Sequence, residues 1–137
     1  MLHTSYYGNP LLDPGRQFLV RVSNTAPSSF PLNYELQDVV PPWETIVGPY
    51  KDGLIDAAEY ERRYRRWLDS KAPYIRDTLE QIRRRATSLG RKDIVLLCYE
   101  KPAAFCHRHI LAAWLADTLG LEVSEYKDPA ALEPTLF

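Results

Sequence analysis

The chain reads as an α/β protein: one domain over residues 1–137, a mostly parallel sheet of about four strands, and helices packed on it in a three-layer-like arrangement. Three observations lead there. Ile94 to Cys98 are five consecutive apolar or cysteine positions, the length and continuity of a strand buried on both faces. Two amphipathic helical stretches precede this run and a third follows it. Strand, helix, strand in the C-terminal half is a βαβ unit, which implies parallel strands and a right-handed crossover.

The elements follow in order. Leu2 to Tyr7 and Phe18 to Ser23 read as short core strands, separated by a loop holding Gly8, Asn9, Pro10, Pro14 and Gly15. Residues 24–53 carry five prolines (27, 31, 41, 42 and 49) and little periodicity. They read as a long ordered loop with at most a helical turn around Tyr34 to Val39; connections this long are often functional. Asp56 and Glu59 have capping-box-like spacing, after which Tyr60, Tyr64, Trp67 and Leu68 fall on one face and Arg62, Arg63, Arg65 and Arg66 on the other. A second helix enters near Pro73, stacks Ile75, Leu79, Ile82, Ala86 and Leu89 along a stripe, and stops at Gly90. A third, from Cys106 to Leu119, buries Ile110, Leu111, Trp114, Leu115 and Leu119 and stops at Gly120. Leu121 to Tyr126 then alternates like an edge strand, and Asp128 to Phe137 reads as a loosely ordered cap.

Composition narrows the classes. With 137 residues and 45% hydrophobic content the chain can fill a single core. A net charge of −1 excludes a global field for nucleic acid or an acidic membrane, although residues 59–92 hold eleven Lys/Arg against five Asp/Glu. No run reaches the roughly 20 apolar residues of a membrane span, and the N-terminus lacks the basic start and apolar core of a signal peptide, so a cytoplasmic protein is expected. Two cysteines in such a compartment are expected as free thiols, with a redox-linked Cys98–Cys106 pair as the alternative.

Chemistry concentrates between Cys98 and His109, where both cysteines, two of the three histidines, a glutamate, a lysine and an arginine fall in a strand-to-helix turn. A thiol at a helix N-terminus has a lowered pKa, which makes Cys106 the candidate nucleophile, unless it is only a small cap packed under the loop. His107, next to it, is the candidate acid/base; His109 is a candidate substrate contact, although two residues apart on a helix point in different directions and at most one of the pair should face the site. Arg108 can fork onto a phosphate or carboxylate, or be solvated, or pair with Glu100. Glu100 and Lys101, just past the strand's carboxyl end, can position a polar substrate or form a surface ion pair. Cys98, ending an apolar strand, reads as a buried thiol bordering the site. Cys98, Cys106, His107 and His109 are zinc-compatible, but the spacing C-x7-C-H-x-H forces adjacent residues and a strand end onto one ion, so no metal and no cofactor are expected.

Over Leu96 to Leu115 the chain resembles the domain-of-unknown-function family 488, whose hallmark is a strand ending in L-C-x-E-K followed by C-H-R at a helix start. The resemblance extends to His3-Thr4-Ser5-Tyr6, to Val22-Ser23 with its proline loop, and to Tyr50 through Tyr60 leading into Arg63-Tyr64. It implies an α/β fold and a shared cluster of Cys98, Glu100, Lys101, Cys106, His107, Arg108 and His109, without implying a particular reaction.

Three functions compete. The first is an enzyme or nucleotide-handling protein that binds an anionic small molecule or nucleotide at the turn, with Cys106 as nucleophile; the C-x5-R cradle of cysteine phosphatases is not matched. The second is a nucleic-acid accessory protein using Arg62, Arg63, Arg65, Arg66, Arg83, Arg84 and Arg85. Against it, Glu59–Arg63, Glu61–Arg65 and Glu80–Arg84 have i, i+4 spacing and can simply support exposed helices. The third is an interaction module in which the cluster staples strand to helix, with Tyr6, Tyr7, Trp43 and Tyr50 lining a pocket or dimer seam or closing the core. Oligomeric state is not encoded in any of these patterns.

Overall fold

A computed structural model describes residues 1–100 and 105–128. Among the described residues five strands form one all-parallel sheet: β1 (Leu2–Tyr6), β2 (Gln17–Arg21), β3 (Tyr34–Glu35), β4 (Asp93–Cys98) and β5 (Val123–Glu125), in the order β3-β2-β4-β1-β5. The fifth strand beyond the expected four is β3, a two-residue segment too short to show alternation. It forms because Asn33 and Leu36 donate backbone bonds to Leu19 and Arg21 at 2.8 and 2.9 Å.

β4 is the central strand, pairing Ile94 with both Phe18 of β2 and Leu2 of β1. Ile94 through Cys98 are all buried, which is why they read as a continuous apolar run. On one face Phe18, Val20, Ile94 and Leu96 join the main core with the helices. On the other, Leu19, Val95 and Leu97 pack under Leu12, Ala26, Phe30 and Leu32. The third layer is therefore loop, drawn from the connections after β1 and β2.

The helices follow their sequence signals. α1 (Gly48–Lys51) continues directly from a π-helical turn at Trp43–Val47, so the proline-rich segment is more helical than its weak periodicity suggests. α2 (Ala57–Ser70) starts at Asp56, whose carboxylate accepts the Glu59 N–H at 2.8 Å, and buries Tyr60, Tyr64 and Leu68. α3 (Ala72–Ser88) buries Ile75, Leu79, Ile82 and Ala86. Its end is a Schellman turn: Gly90 at φ 71° lets its own N–H reach Thr87 O and that of Arg91 reach Ala86 O. The turn lifts Leu89 off the stripe, leaving it 50% exposed where burial was expected. α4 (His107–Leu119) buries Ile110, Leu111, Trp114 and Leu115 and ends at Gly120, φ 68°. Among the described residues no helix is long and apolar enough to cross a membrane. Of the tail expected as a cap, only Asp128 is described; it is buried and accepts the Tyr6 hydroxyl at 2.7 Å.

Candidate active site

All five strands run the same way, so their carboxyl ends share one edge, where open α/β sheets bind ligands. β4 delivers Cys98 there and α4 begins at Cys106, which holds the N-cap position with extended backbone and no side-chain cap bond. The two sulfurs are joined in a Cys98–Cys106 bridge. The expectation of free thiols is thus corrected: an interior strand end and a helix start, eight residues apart in sequence, converge on one point. Both cysteines are buried, but Cys106 lines a cleft of about 290 Å³ and Cys98 does not.

His107 Nε2 lies 2.7 Å from the Val22 carbonyl. A carbonyl only accepts, so that nitrogen carries the proton and Nδ1 is the basic nitrogen of the neutral ring. Burial pushes its pKa below the usual histidine value, against a smaller opposing pull from the Val22 carbonyl and Glu100. A ring nitrogen of His107 and the sulfurs of Cys98 and Cys106 all lie within 4.8 Å of one another. The spacing objection to a shared metal is corrected on this point, since the fold does bring these three donors together. His107 lines the cleft; His109, half-buried in the first turn of α4, does not.

Arg108 departs most from its expected role. Its side chain is fully buried and its fork is spent inside the protein. Nε and Nη2 donate to the Glu125 carboxylate at 3.2 and 3.0 Å. Nη1 donates to Cys98 Sγ at 3.0 Å and to the Glu100 carbonyl. Thr4 Oγ1 completes the group with a 2.7 Å bond to Glu125. Arg108 is therefore not a fork open to an external anion, and its ion-pair partner is Glu125 rather than the Glu100 side chain. It is a buried strut that ties β5 to the cysteine segment and points an N–H at a sulfur.

Glu100 is exposed on the cleft rim; Lys101 lies outside the described residues. Several cleft residues carried no local signal. Trp43, Tyr50 and Lys51 come from the helical turn after the proline loop, Tyr60 from α2, and Tyr99 and Phe105 from the cysteine segment. Of the aromatic residues expected to line a pocket or close the core, Trp43 and Tyr50 line the cleft, whereas Tyr6 and Tyr7 are buried and close the core. Arg21, also missed, pins the cleft loop by donating to the Asn24 carbonyl at 2.8 Å and to Glu35 and Gln37 at 2.8 and 3.1 Å. A charged residue inside an otherwise apolar strand was the available signal for it.

The arginine-rich helix faces are internally paired. Glu59 accepts from Arg62 and Arg63, Glu61 from Arg65, and Glu80 from Arg83 and Arg84. The two arginines beside Glu80 hold its carboxyl at about 2, below the usual range. Most of this positive charge is answered locally, as i, i+4 spacing implied.

Fold and site define a class: a parallel α/β protein with a cysteine–histidine centre at the carboxyl edge of its sheet. The chain belongs to the DUF488-N3a family, described as the active DUF488-N3 subclade, whose model matches residues 12–119. The matched span includes the whole segment from Cys98 to His109. No curated protein and no solved structure matches the chain.

Proposed function

We propose that this protein is a cysteine-dependent redox enzyme in which Cys106 reacts with substrate and Cys98 is its resolving partner. One observation carries the reading: the two sulfurs are joined at the wall of a cleft, with a His107 ring nitrogen within 4.8 Å of both. The family's description as an active subclade supports a catalytic role for the shared segment.

The two sulfurs differ in a way that assigns their roles. Cys106 lines the cleft and is the sulfur an incoming thiolate can reach. Attack there joins substrate sulfur to Cys106 and breaks the bridge, whose electron pair leaves with Cys98. The departing thiolate accepts the Arg108 Nη1–H, which lowers the basicity of the leaving group and speeds exchange. A second substrate thiol then gives its proton to His107 Nδ1, attacks the substrate sulfur as the thiolate and releases Cys106, which takes that proton from His107. Two thiols become one disulfide, and the enzyme pair takes up two electrons and two protons.

Cys98→Ser should accumulate a stable mixed disulfide between Cys106 and a small thiol–disulfide probe, visible by intact mass, whereas Cys106→Ser should not. The native chain should cycle between a bridged form and a dithiol form. Recovery of both cysteines as unreactive thiols across cellular redox poise, or a stoichiometric metal ion held by the reduced protein, would overturn the proposal.

A further inference from the structure

We infer that the cleft beside Cys106 takes a flat, nitrogen-bearing aromatic ring of nucleobase type carrying an anionic substituent. The inference rests on the preceding reading of this cleft as the substrate's way to Cys106 and names the group by which the cleft would hold a thiol-bearing substrate.

Three of the four exposed large aromatic side chains among the described residues are gathered here; the fourth, Tyr74, stands alone on α3. Trp43, Tyr99 and Phe105 are 53%, 46% and 41% exposed, and all three line this cleft. Water contact on that scale is unfavourable for rings that could be covered, and such patches mark binding surfaces. Each ring is also propped on its own support, so the surfaces are preformed. Phe105 lies 5.0 and 5.1 Å from the Tyr50 and Tyr60 rings. Tyr99 packs 5.0 Å from Tyr7, and its hydroxyl is 3.2 Å from Thr25 Oγ1. Trp43 lies over Gly48, where an added Cβ would come within 3.2 Å of the indole Nε1.

Shape and charge select the occupant. A volume of about 290 Å³ sits at the lower end of small-molecule sites, room for one ring system with a modest substituent. Tyr60 meets Tyr50 and Phe105 edge-on, at 80° and 89°, while Phe105 lies at 33° to Tyr50. That builds a wall for stacking, which every heteroaromatic ring can use, rather than a cage closing on a point charge. Glu100 supplies acceptors for ring N–H groups, and Lys51 a cation for a phosphate or carboxylate. An anion alone would leave the aromatic surface wet.

The test uses the full chain with both cysteines replaced by serine, so that binding is read without chemistry. The four common nucleoside monophosphates, ribose 5-phosphate and tetramethylammonium are titrated by calorimetry and by tryptophan fluorescence. At least one nucleotide should bind saturably, ribose 5-phosphate at least about tenfold more weakly, and Trp43→Ala or Phe105→Leu should each weaken the nucleotide by about tenfold. Equal binding of ribose 5-phosphate, or displacement of the nucleotide by tetramethylammonium, overturns the ring assignment. So does the absence of nucleotide binding at millimolar concentration. In each case thiol exchange at Cys106 of the native chain is measured alongside: if it persists, the substrate class falls and the redox reading stands, and if it is absent while a nucleotide binds, the reverse holds.

Discussion

Replacing Arg108 by methionine distinguishes a buried strut from an anion clamp. Methionine keeps the apolar stem of the side chain and removes its five N–H donors. The change leaves the Glu125 carboxylate without its partner and deprives Cys98 Sγ and the Glu100 carbonyl of a donor. Removing one member of a buried ion pair costs about 3–5 kcal/mol. The Glu125 side chain retains 28% exposure, so water recovers part of the loss and about 3 kcal/mol is expected. For 137 residues the unfolding entropy is about 0.29 kcal/mol/K, which converts that loss to a fall in Tm of roughly 10 °C. Glu125→Gln should cost less, about 1 kcal/mol, because the amide oxygen still accepts from Thr4 and Arg108. The pair Arg108→Met with Glu125→Leu should recover about 2 kcal/mol relative to the sum of the two single losses, since both charges leave together. Urea and thermal denaturation of the native chain, Arg108→Met, Glu125→Leu and the double variant measure every leg of this cycle. A loss below about 1 kcal/mol for Arg108→Met, with no coupling to position 125, would refute the strut.

Three further expectations follow from named contacts. Burial lowers the His107 pKa in the folded protein below its unfolded value near 6.5. Between that value and the folded one only the unfolded chain takes up the proton, so stability falls as pH drops through this window and is fully present above it. Denaturation from pH 7.5 to 5 should show an acid-side loss of at most about 1.4 kcal/mol per pH unit that His107→Gln removes. Asp56→Ala deletes the acceptor for the Glu59 N–H and should cost about 1 kcal/mol in urea denaturation, leaving Cys106 reactivity unchanged. Leu96→Ala, at a fully buried position of β4, should cost about 2–5 kcal/mol, and a value under 1 kcal/mol would mean the sheet repacks around it.

Much of this architecture was legible because it is written locally. The apolar run of β4 and the stripes of α2, α3 and α4 are periodic within one element, and Asp56, Gly90 and Gly120 mark ends through backbone geometry a few residues away. The cysteine segment stood out for the same reason. What stayed hidden depends on partners far along the chain. Arg108 finds Glu125 only because β5 docks beside β1, and His107 finds the Val22 carbonyl only because β2 docks beside β4. Trp43 enters the cleft through a helical turn whose five residues hide under weak periodicity, and Tyr60 reaches the same cleft from α2. Leu89 shows the converse limit: the stripe placed it inward, and the turn required by Gly90 carried it out.

The strand order has a kinetic consequence. Of these five strands β1 is made first on the ribosome, yet both its neighbours, β4 and β5, are made last. β2 likewise waits for β4 along one edge. The amino-terminal half must therefore remain without its main hydrogen-bonding partners until residue 98 has emerged, and folding then depends on closing long loops, which is slow. Synthesis halted before β4 should leave β1 and β2 sticky and protease-sensitive, a stage at which a nascent-chain chaperone has the most to hold.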